Sequence, residues 1–180
     1  HMIFVIGGVT ASGKSDLAFK LAKKLNGIII NADAFAIYKE LNIGTAKPSE
    51  EELASVPTYL FNIVSLTETY SIYDYQQAAR AIIEKYKHSG RPIIFVGGSG
   101  LYIRAALYNY ELQNENPIEI EDDPRVSNAT LYEELVQLDK VAAQKIHPNN
   151  RKRVLRALAI IKTHNVKKSE LDSKTLNTPL

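Results

Sequence analysis

The sequence predicts an α/β fold: an open parallel sheet with helices on both faces, plus a small helical segment toward the C-terminal end. Three observations carry that prediction. The run IFVI (3–6) is apolar and rich in β-branched residues, and it leads at once into a glycine-rich loop and then a helical repeat. Two more short, wholly apolar runs, Ile28-Ile29-Ile30 and Ile93-Ile94-Phe95-Val96, have the composition of strands buried on both faces. The order strand, loop, helix, strand at the beginning makes a βαβ unit, which requires parallel strands and a right-handed connection.

The first loop, Gly8-Val9-Thr10-Ala11-Ser12-Gly13-Lys14-Ser15, fits G-x-x-x-x-G-K-[ST]. Glycine lets the backbone approach a phosphate, and successive N–H groups then point inward as an anion nest. The positive end of the helix that follows adds to the same point. Lys14 supplies a full charge, and the Ser15 hydroxyl is suited to Mg²⁺ held by the phosphates. Gly8, Thr10, Ala11, Ser12, Gly13, Lys14 and Ser15 are therefore the expected phosphate-binding set, in a P-loop NTPase-like core. The helix is carried by Leu17, Leu21 and Leu25, with Ala18 and Ala22 beside them, and ends near Asn26-Gly27.

Residues 28–30 run into Asn31-Ala32-Asp33. In open parallel sheets ligands sit beyond the carboxyl ends of the strands, so Asp33 falls on the rim that carries the phosphate loop. The plain alternative for Asp33 is an N-cap for a helical segment 35–41. Residues 43–48 form a loop by their glycine and proline, Ser49 and the three glutamates after it start a short helix, and 59–63 read as a third strand. Ser71 and Asp74 form a capping box, and the helix they open presents Tyr75, Ala78, Ala79, Ile82, Ile83 and Tyr86 on one face. Strand 93–96 then enters a second glycine loop, Gly97-Gly98-Ser99-Gly100, and a helix over 101–107. That loop belongs on the ligand rim too, its alternative being a tight turn without ligand contact.

From 108 to 124 the pattern becomes polar and acidic, an exposed connection in which residues 115–123 hold five carboxylates. Leu131, Leu135 and Leu138 recur helically, and 141–146 predicts a further turn or two. A helix over 151–163 follows, its apolar face formed by Val154, Leu155, Leu158 and Ile161. Residues 145–168 carry eight Lys or Arg and no carboxylate. The division expected from these patterns is a core of 1–110 with 146–163, an insertion at 111–145 and a frayed polar tail at 164–180.

Composition sets outer limits. A chain of 180 residues, 45% hydrophobic, is one domain with at most a small appendage. With no cysteine, disulfides and thiolate metal sites are excluded, and a reducing, cytoplasmic location is expected. No apolar run approaches the roughly 20 residues that span a bilayer, so no membrane partner is expected. Net charge of +2 is too small to indicate nucleic acid by itself.

Several stretches together resemble the tRNA dimethylallyltransferases, also called tRNA isopentenyltransferases. The resemblance rests on GGVTASGKS (7–15), ADAFAIYKELNIGTAKP (32–48), GGSGLY (97–102) and IHPNNRKRVLRAL (146–158), in that order and spacing. It implies a prenyltransferase that moves a dimethylallyl group from dimethylallyl diphosphate to N6 of an adenosine beside the tRNA anticodon, with Mg²⁺. Such enzymes have a P-loop kinase-like core with a helical insertion, and a monomer is expected. Carried across, Thr10 to Ser15 cradle the diphosphate, with Lys14 acting in catalysis as well. Asp33 is the general base, and Ser99 occupies the place of a threonine near the reacting centre. Asp33, Ala34, Phe35, Ala36 and Ser99, with Lys152, Arg153 and Arg156, match tRNA-contacting positions.

The departures matter as much. The family's usual Asp-Ser-x-Gln is here Asp33-Ala34-Phe35-Ala36, without two polar groups for the adenine, and the insertion is short around 112–130. The family's chain also continues well past position 180, so the resemblance implies weakened tRNA modification by this chain. Two other functions fit the phosphate loop. A small-molecule or nucleotide kinase needs an arginine-bearing lid, yet the arginine cluster lies at 151–156. A diphosphate-binding remnant without turnover fits Ala34 and Ala36. Prenylation of free adenylate shares the chemistry, but the HPNNRKR stretch favours tRNA. A solvated helix face is the plain alternative for that stretch.

Overall fold

The computed structural model describes residues 2–7, 14–42, 47–108 and 120–176, with the side chains of 14, 15 and 166–176 left out. Two compact units divide the chain, one of His1–Lys39 with Gly44–Glu115 and one of Glu40–Ile43 with Asn116–Leu180.

The first unit is the predicted α/β layer. Strands β1 (Ile3–Ile6), β2 (Ile28–Asn31), β3 (Thr58–Tyr59) and β4 (Ile93–Val96) form one sheet in the order β1-β4-β2-β3. Every pairing is parallel, as βαβ connections require. All four residues of β2 and of β4 are buried, which accounts for their unbroken apolar sequence: each strand is covered on both faces. On one face Ile29, Ile94 and Val96 pack against Ala18, Phe19 and Ala22 of helix α1 (Lys14–Leu25). The residues of opposite parity, Ile28, Ile30, Ile93 and Phe95, are buried to the same degree. Strand β1 has the same kind of sequence but is only half buried, with Val5 46% exposed. Among the described residues it pairs with β4 alone and stands at the sheet edge.

Helix α2 (Glu50–Ser55) opens on a reciprocal capping box between Ser49 and Glu52. Helix α3 (Ile72–Tyr86) opens on the box between Ser71 and Asp74 read from the sequence, each side chain satisfying an end of the other's backbone. Helix α4 (Gly100–Leu107) packs on α3 through stacked Tyr75 and Tyr102, whose ring centroids are 3.9 Å apart. The Gln76 amide donates to Ala105 O at 2.9 Å and ties the pair again.

In this unit the helix of the alternative reading of Asp33 does not form, and one expected strand is cut short. Residues 34–37 make a turn rather than starting a helix over 35–41, and Tyr38 instead bridges Val64. The strand expected over 59–63 stops at Tyr59, because Leu60 (φ 68°) and Asn62 (φ 55°) are left-handed and leave the extended region.

The second unit is helical: α5 (Asn128–Leu138), α6 (Lys140–Gln144) and α7 (Arg151–Leu176). Ser127 caps α5, and Asp139 caps α6 through Ala142 N at 3.0 Å while its other oxygen accepts Asn42 N at 2.9 Å. Leu131 and Leu135 of α5 are buried, as are Val154, Leu155, Leu158 and Ile161 of α7, the face the periodicity predicts. Lys162 pairs with Glu134 across the two helices at 2.9 Å.

Two domain boundaries change. Residues 146–163 belong to this helical unit and not to the sheet, since their apolar face is matched by that of α5. The tail expected from 164 is instead the continuation of α7 to Leu176. This stretch lacks an apolar stripe, but it also lacks glycine and proline before Pro179, so nothing in it stops a helix already nucleated. The acidic connection at 109–119 lies outside the described residues.

Candidate functional site

Register decides what the sheet presents. Ile6 pairs with Val96, and Val96 with Asn31, so β1, β4 and β2 end level with one another. The chain that leaves them, at Gly7, 97–99 and 32–34, therefore emerges side by side from one rim. Gly97 N donates to Ile6 O at 3.1 Å, which joins the first loop's root to the second loop. With strands spaced 4.7–4.9 Å apart, β1 and β2 stand about 10 Å apart with the β4 loop between them.

Residues 8–13 of the phosphate loop, including Gly8, Thr10, Ala11, Ser12 and Gly13, lie outside the described residues. Lys14 and Ser15, the last two residues of that motif, open the first turn of α1, the backbone setting the motif requires. Hydroxyl-plus-phosphate coordination suits Mg²⁺, which keeps several waters and needs few protein ligands. Ser15 in that first turn is compatible with it.

Asp33 is 8% exposed. Its Oδ1 accepts Phe35 N at 2.9 Å, an Asx-type turn that holds the 34–37 reversal. Among the described residues no hydrogen bond reaches Oδ2, and that oxygen is the one left for a ligand. With no helix at 35–41, Asp33 caps a turn and not a helix, and the turn bond and the ligand-facing reading concern different oxygens of one carboxylate. Below it the Asn31 side chain, fully buried, accepts Asp33 N at 2.9 Å through Oδ1. Its Nδ2 donates to Asp33 O and to Leu60 O, each at 2.9 Å. Tyr75 OH donates to Asn31 O at 2.7 Å.

Ser99 stands at the N-cap of α4 but makes no cap bond. Its Oγ instead accepts Ala34 N at 3.0 Å, and its N donates to Ala32 O at 2.9 Å. The structure thus brings Ser99 to the Asp33 segment, as the sequence expects, and the hydroxyl retains its own proton to give. Phe35 and Ala36 are buried inside their unit, at 8% and 3% exposure. Of the five residues expected to contact RNA there, Asp33, Ala34, Phe35, Ala36 and Ser99, only Ala34 and Ser99 are partly exposed; the apolar pair is tucked under the turn.

Lys47, from the IGTAKP stretch, donates to Asn62 Oδ1 at 2.6 Å and to Tyr38 O. It thereby links the 34–38 turn to the left-handed residues after β3. Beside the site, burial and the charge of Asp74 push the Tyr70 phenol up to about 12. Burial likewise raises Tyr75 above its ordinary value.

In the helical unit, Lys152 is exposed, while Arg153 and Arg156 are half buried. Arg151, in the same basic stretch, is engaged internally. It pairs with Asp122 at 2.8 Å and also donates to Asn128 Oδ1, Val126 O and Asp123 O.

Sequence reasoning passed over Asn31, Gly97 and Tyr75. The available signal was a polar residue closing an otherwise apolar strand two positions before Asp33, the spacing of an Asx turn.

Residues 36–179 match the family described as IPP transferase. A curated tRNA dimethylallyltransferase of Staphylococcus aureus is 42% identical over 165 residues, which cover 87% of this chain and 53% of that protein. Among solved structures, the full-length tRNA isopentenylpyrophosphate transferase of Bacillus halodurans superposes with a TM-score of 0.57 at 37% identity, over 89% of this chain and 55% of that one. A eukaryotic dimethylallyltransferase acting on tRNA superposes with a TM-score of 0.56 at 29% identity, over 98% and 44% of the two chains. This chain spans about half the length of the curated relatives it matches.

Proposed function

Since the chain belongs to the IPP transferase family, we propose that its sheet rim transfers a dimethylallyl group from dimethylallyl diphosphate to N6 of an adenosine in a tRNA anticodon loop. The observation that supports this most is the level ending of β1, β4 and β2. The root of the phosphate motif at Gly7, the Ser99 hydroxyl and the buried Asp33 carboxylate with one open oxygen thereby share one rim.

The reaction needs little else. The adenine amino group is a weak nucleophile, and Asp33 Oδ2 accepts its proton as the N6–C1 bond forms. The C1–O bond to diphosphate breaks at the same centre, and the leaving group departs with the electron pair. Lys14 and the amides of 10–15 meet the charge that develops on it. Mg²⁺, held by Ser15 and the phosphates, would neutralise part of that charge. Ser99 holds the Asp33 segment through Ala34 N and Ala32 O, with its proton directed to a substrate atom. Lys152, Arg153 and Arg156 supply phosphate contacts, consistent with a tRNA partner. The relatives named for tRNA prenylation support the same substrate. We place the protein in the cytoplasm, as a monomer.

The test is incubation with labelled dimethylallyl diphosphate, Mg²⁺ and unmodified tRNA. The chain is assayed alone and joined to the segment of the S. aureus relative that lies beyond the match. Label in N6-dimethylallyl adenosine after nuclease digestion is the expected result. Label in neither form, or donor affinity lower than ATP affinity, would overturn the reading in favour of a kinase or a binding remnant.

A further inference from the structure

The side chain that controls Asp33 is Asn31. Its carboxamide bonds both peptide groups of Asp33, accepting the N–H and donating to the C=O, each at 2.9 Å. Those two groups flank the Asp33 Cα, so together they fix the backbone direction from which the carboxylate leaves. The second Nδ2 hydrogen goes to Leu60 O at 2.9 Å, which stops the carboxamide from turning over. Asn31 itself cannot drift, because it closes β2 in register with Val96 and its carbonyl receives Tyr75 OH. The Asp33 Oδ1 bond to Phe35 N holds the side chain in one rotamer only while the backbone keeps the direction that Asn31 fixes.

We propose that Asn31 is the positioning residue of the site: its three side-chain bonds aim Asp33 Oδ2 at the acceptor amine. The proposal rests on the reading of Asp33 as the base. A residue that only satisfied the end of a strand would have no need to hold both sides of one neighbour's Cα. No other common side chain reproduces the set. Aspartate lacks both donors and would face two carbonyl oxygens, and serine can reach one partner at a time. Misplacing a catalytic group by about 1 Å costs on the order of a hundredfold in rate.

The first measurement needs no turnover. In ¹³C,¹⁵N-labelled protein the N–Cγ and C′–Cγ three-bond couplings of Asp33 should report one rotamer in the wild type and averaging in Asn31→Ser. The second is single-turnover transfer. Asn31→Ser should lose ten- to hundredfold in rate, with affinity for dimethylallyl diphosphate unchanged within threefold. In an Asp33→Asn background the same substitution should change the rate less than threefold, since no carboxylate remains to aim. A single Asp33 rotamer in Asn31→Ser, or equal losses in both backgrounds, would overturn the proposal. Should Asn31→Ser not fold, hydrogen exchange in the wild type decides. The Asn31 carboxamide and the Asp33 N–H should exchange at least a hundredfold more slowly than the carboxamide of exposed Asn149, and exchange at a similar rate would refute the clamp. If the wild type transfers nothing, the functional reading fails, and the couplings still decide whether Asn31 orients Asp33.

Discussion

Gly97 presses on the backbone of Asp33: a β-carbon placed on Gly97 would stand 2.5 Å from Asp33 N and 2.4 Å from Ala32 C. Its φ of 146° is also one that side chains other than glycine rarely adopt. The second glycine loop therefore does for its neighbour what the first is expected to do for a phosphate, by allowing an approach that a side chain would block. Gly97→Ala should cost about 1–3 kcal/mol by overpacking and strain. Urea denaturation measures it, and a cost under 0.5 kcal/mol would mean the rim yields freely.

Lys14→Ala should lower affinity for inorganic diphosphate ten- to hundredfold, the worth of a charge-assisted contact of roughly 1.5–3 kcal/mol. Lys14 is the first residue of α1 and is assigned to the phosphate, not to packing, so the thermal midpoint should hold. Calorimetry that found equal affinities would remove Lys14 from the phosphate site.

Much of this layout was legible because its causes are local. The wholly apolar β2 and β4, the capping box at Ser71 and the apolar face of α7 each follow from a pattern within a few residues. What stayed hidden depends on partners distant in sequence. The Asn31 bond to Leu60 spans 29 positions and the Ser99 bond to Ala34 spans 65. Neither can be inferred from periodicity. The segment 35–41 has helical spacing of apolar residues, but Tyr38 finds Val64 and the turn wins. The assignment of 146–163 to the sheet failed for a similar reason: an apolar helix face does not say which other face it meets.

Two tyrosines near the site should respond oppositely to loss of their hydroxyl. Tyr70 OH is sealed from solvent without a hydrogen-bond partner among the described residues. Tyr70→Phe should then leave stability at pH 7 unchanged or raise it by up to about 1 kcal/mol. Tyr75→Phe removes the bond to Asn31 O and should lower stability by about 1 kcal/mol.

Alkaline pH separates them further. Tyr70 stands at about 12 when folded against 10.0 when unfolded. The folded chain keeps the proton longer, so this contribution is complete below pH 10 and is lost as pH rises toward 12. Tyr70→Phe should reduce the slope of stability against pH in that interval. Tyr75, raised by burial as well, keeps the slope from vanishing. Urea midpoints at pH 7, 10 and 11 in both variants test the pair, and an unchanged slope in Tyr70→Phe would contradict the burial of its hydroxyl.

The basic stretch of α7 should divide by role. Arg151→Ala breaks the pair with Asp122 and three further bonds, and should cost about 2 kcal/mol. Lys152→Ala should cost less than about 0.5 kcal/mol. It should instead weaken tRNA binding at every sequence and flatten log affinity against log salt by somewhat under one unit. An unchanged salt slope in Lys152→Ala would return that residue to a solvated helix face.

The role of Asp33 is tested most directly by its amide. Asparagine at position 33 can still accept Phe35 N, so the turn should survive, but it cannot take the proton from the adenine amino group. The measurement is the single-turnover rate of dimethylallyl transfer to unmodified tRNA, made on the wild type and Asp33→Asn alongside donor affinity and thermal midpoint. A rate loss of about 10²–10⁴ is predicted, with donor affinity and midpoint essentially unchanged. A variant that keeps its rate and melts earlier would show that Asp33 serves the turn alone, and the base would have to be sought elsewhere on the rim.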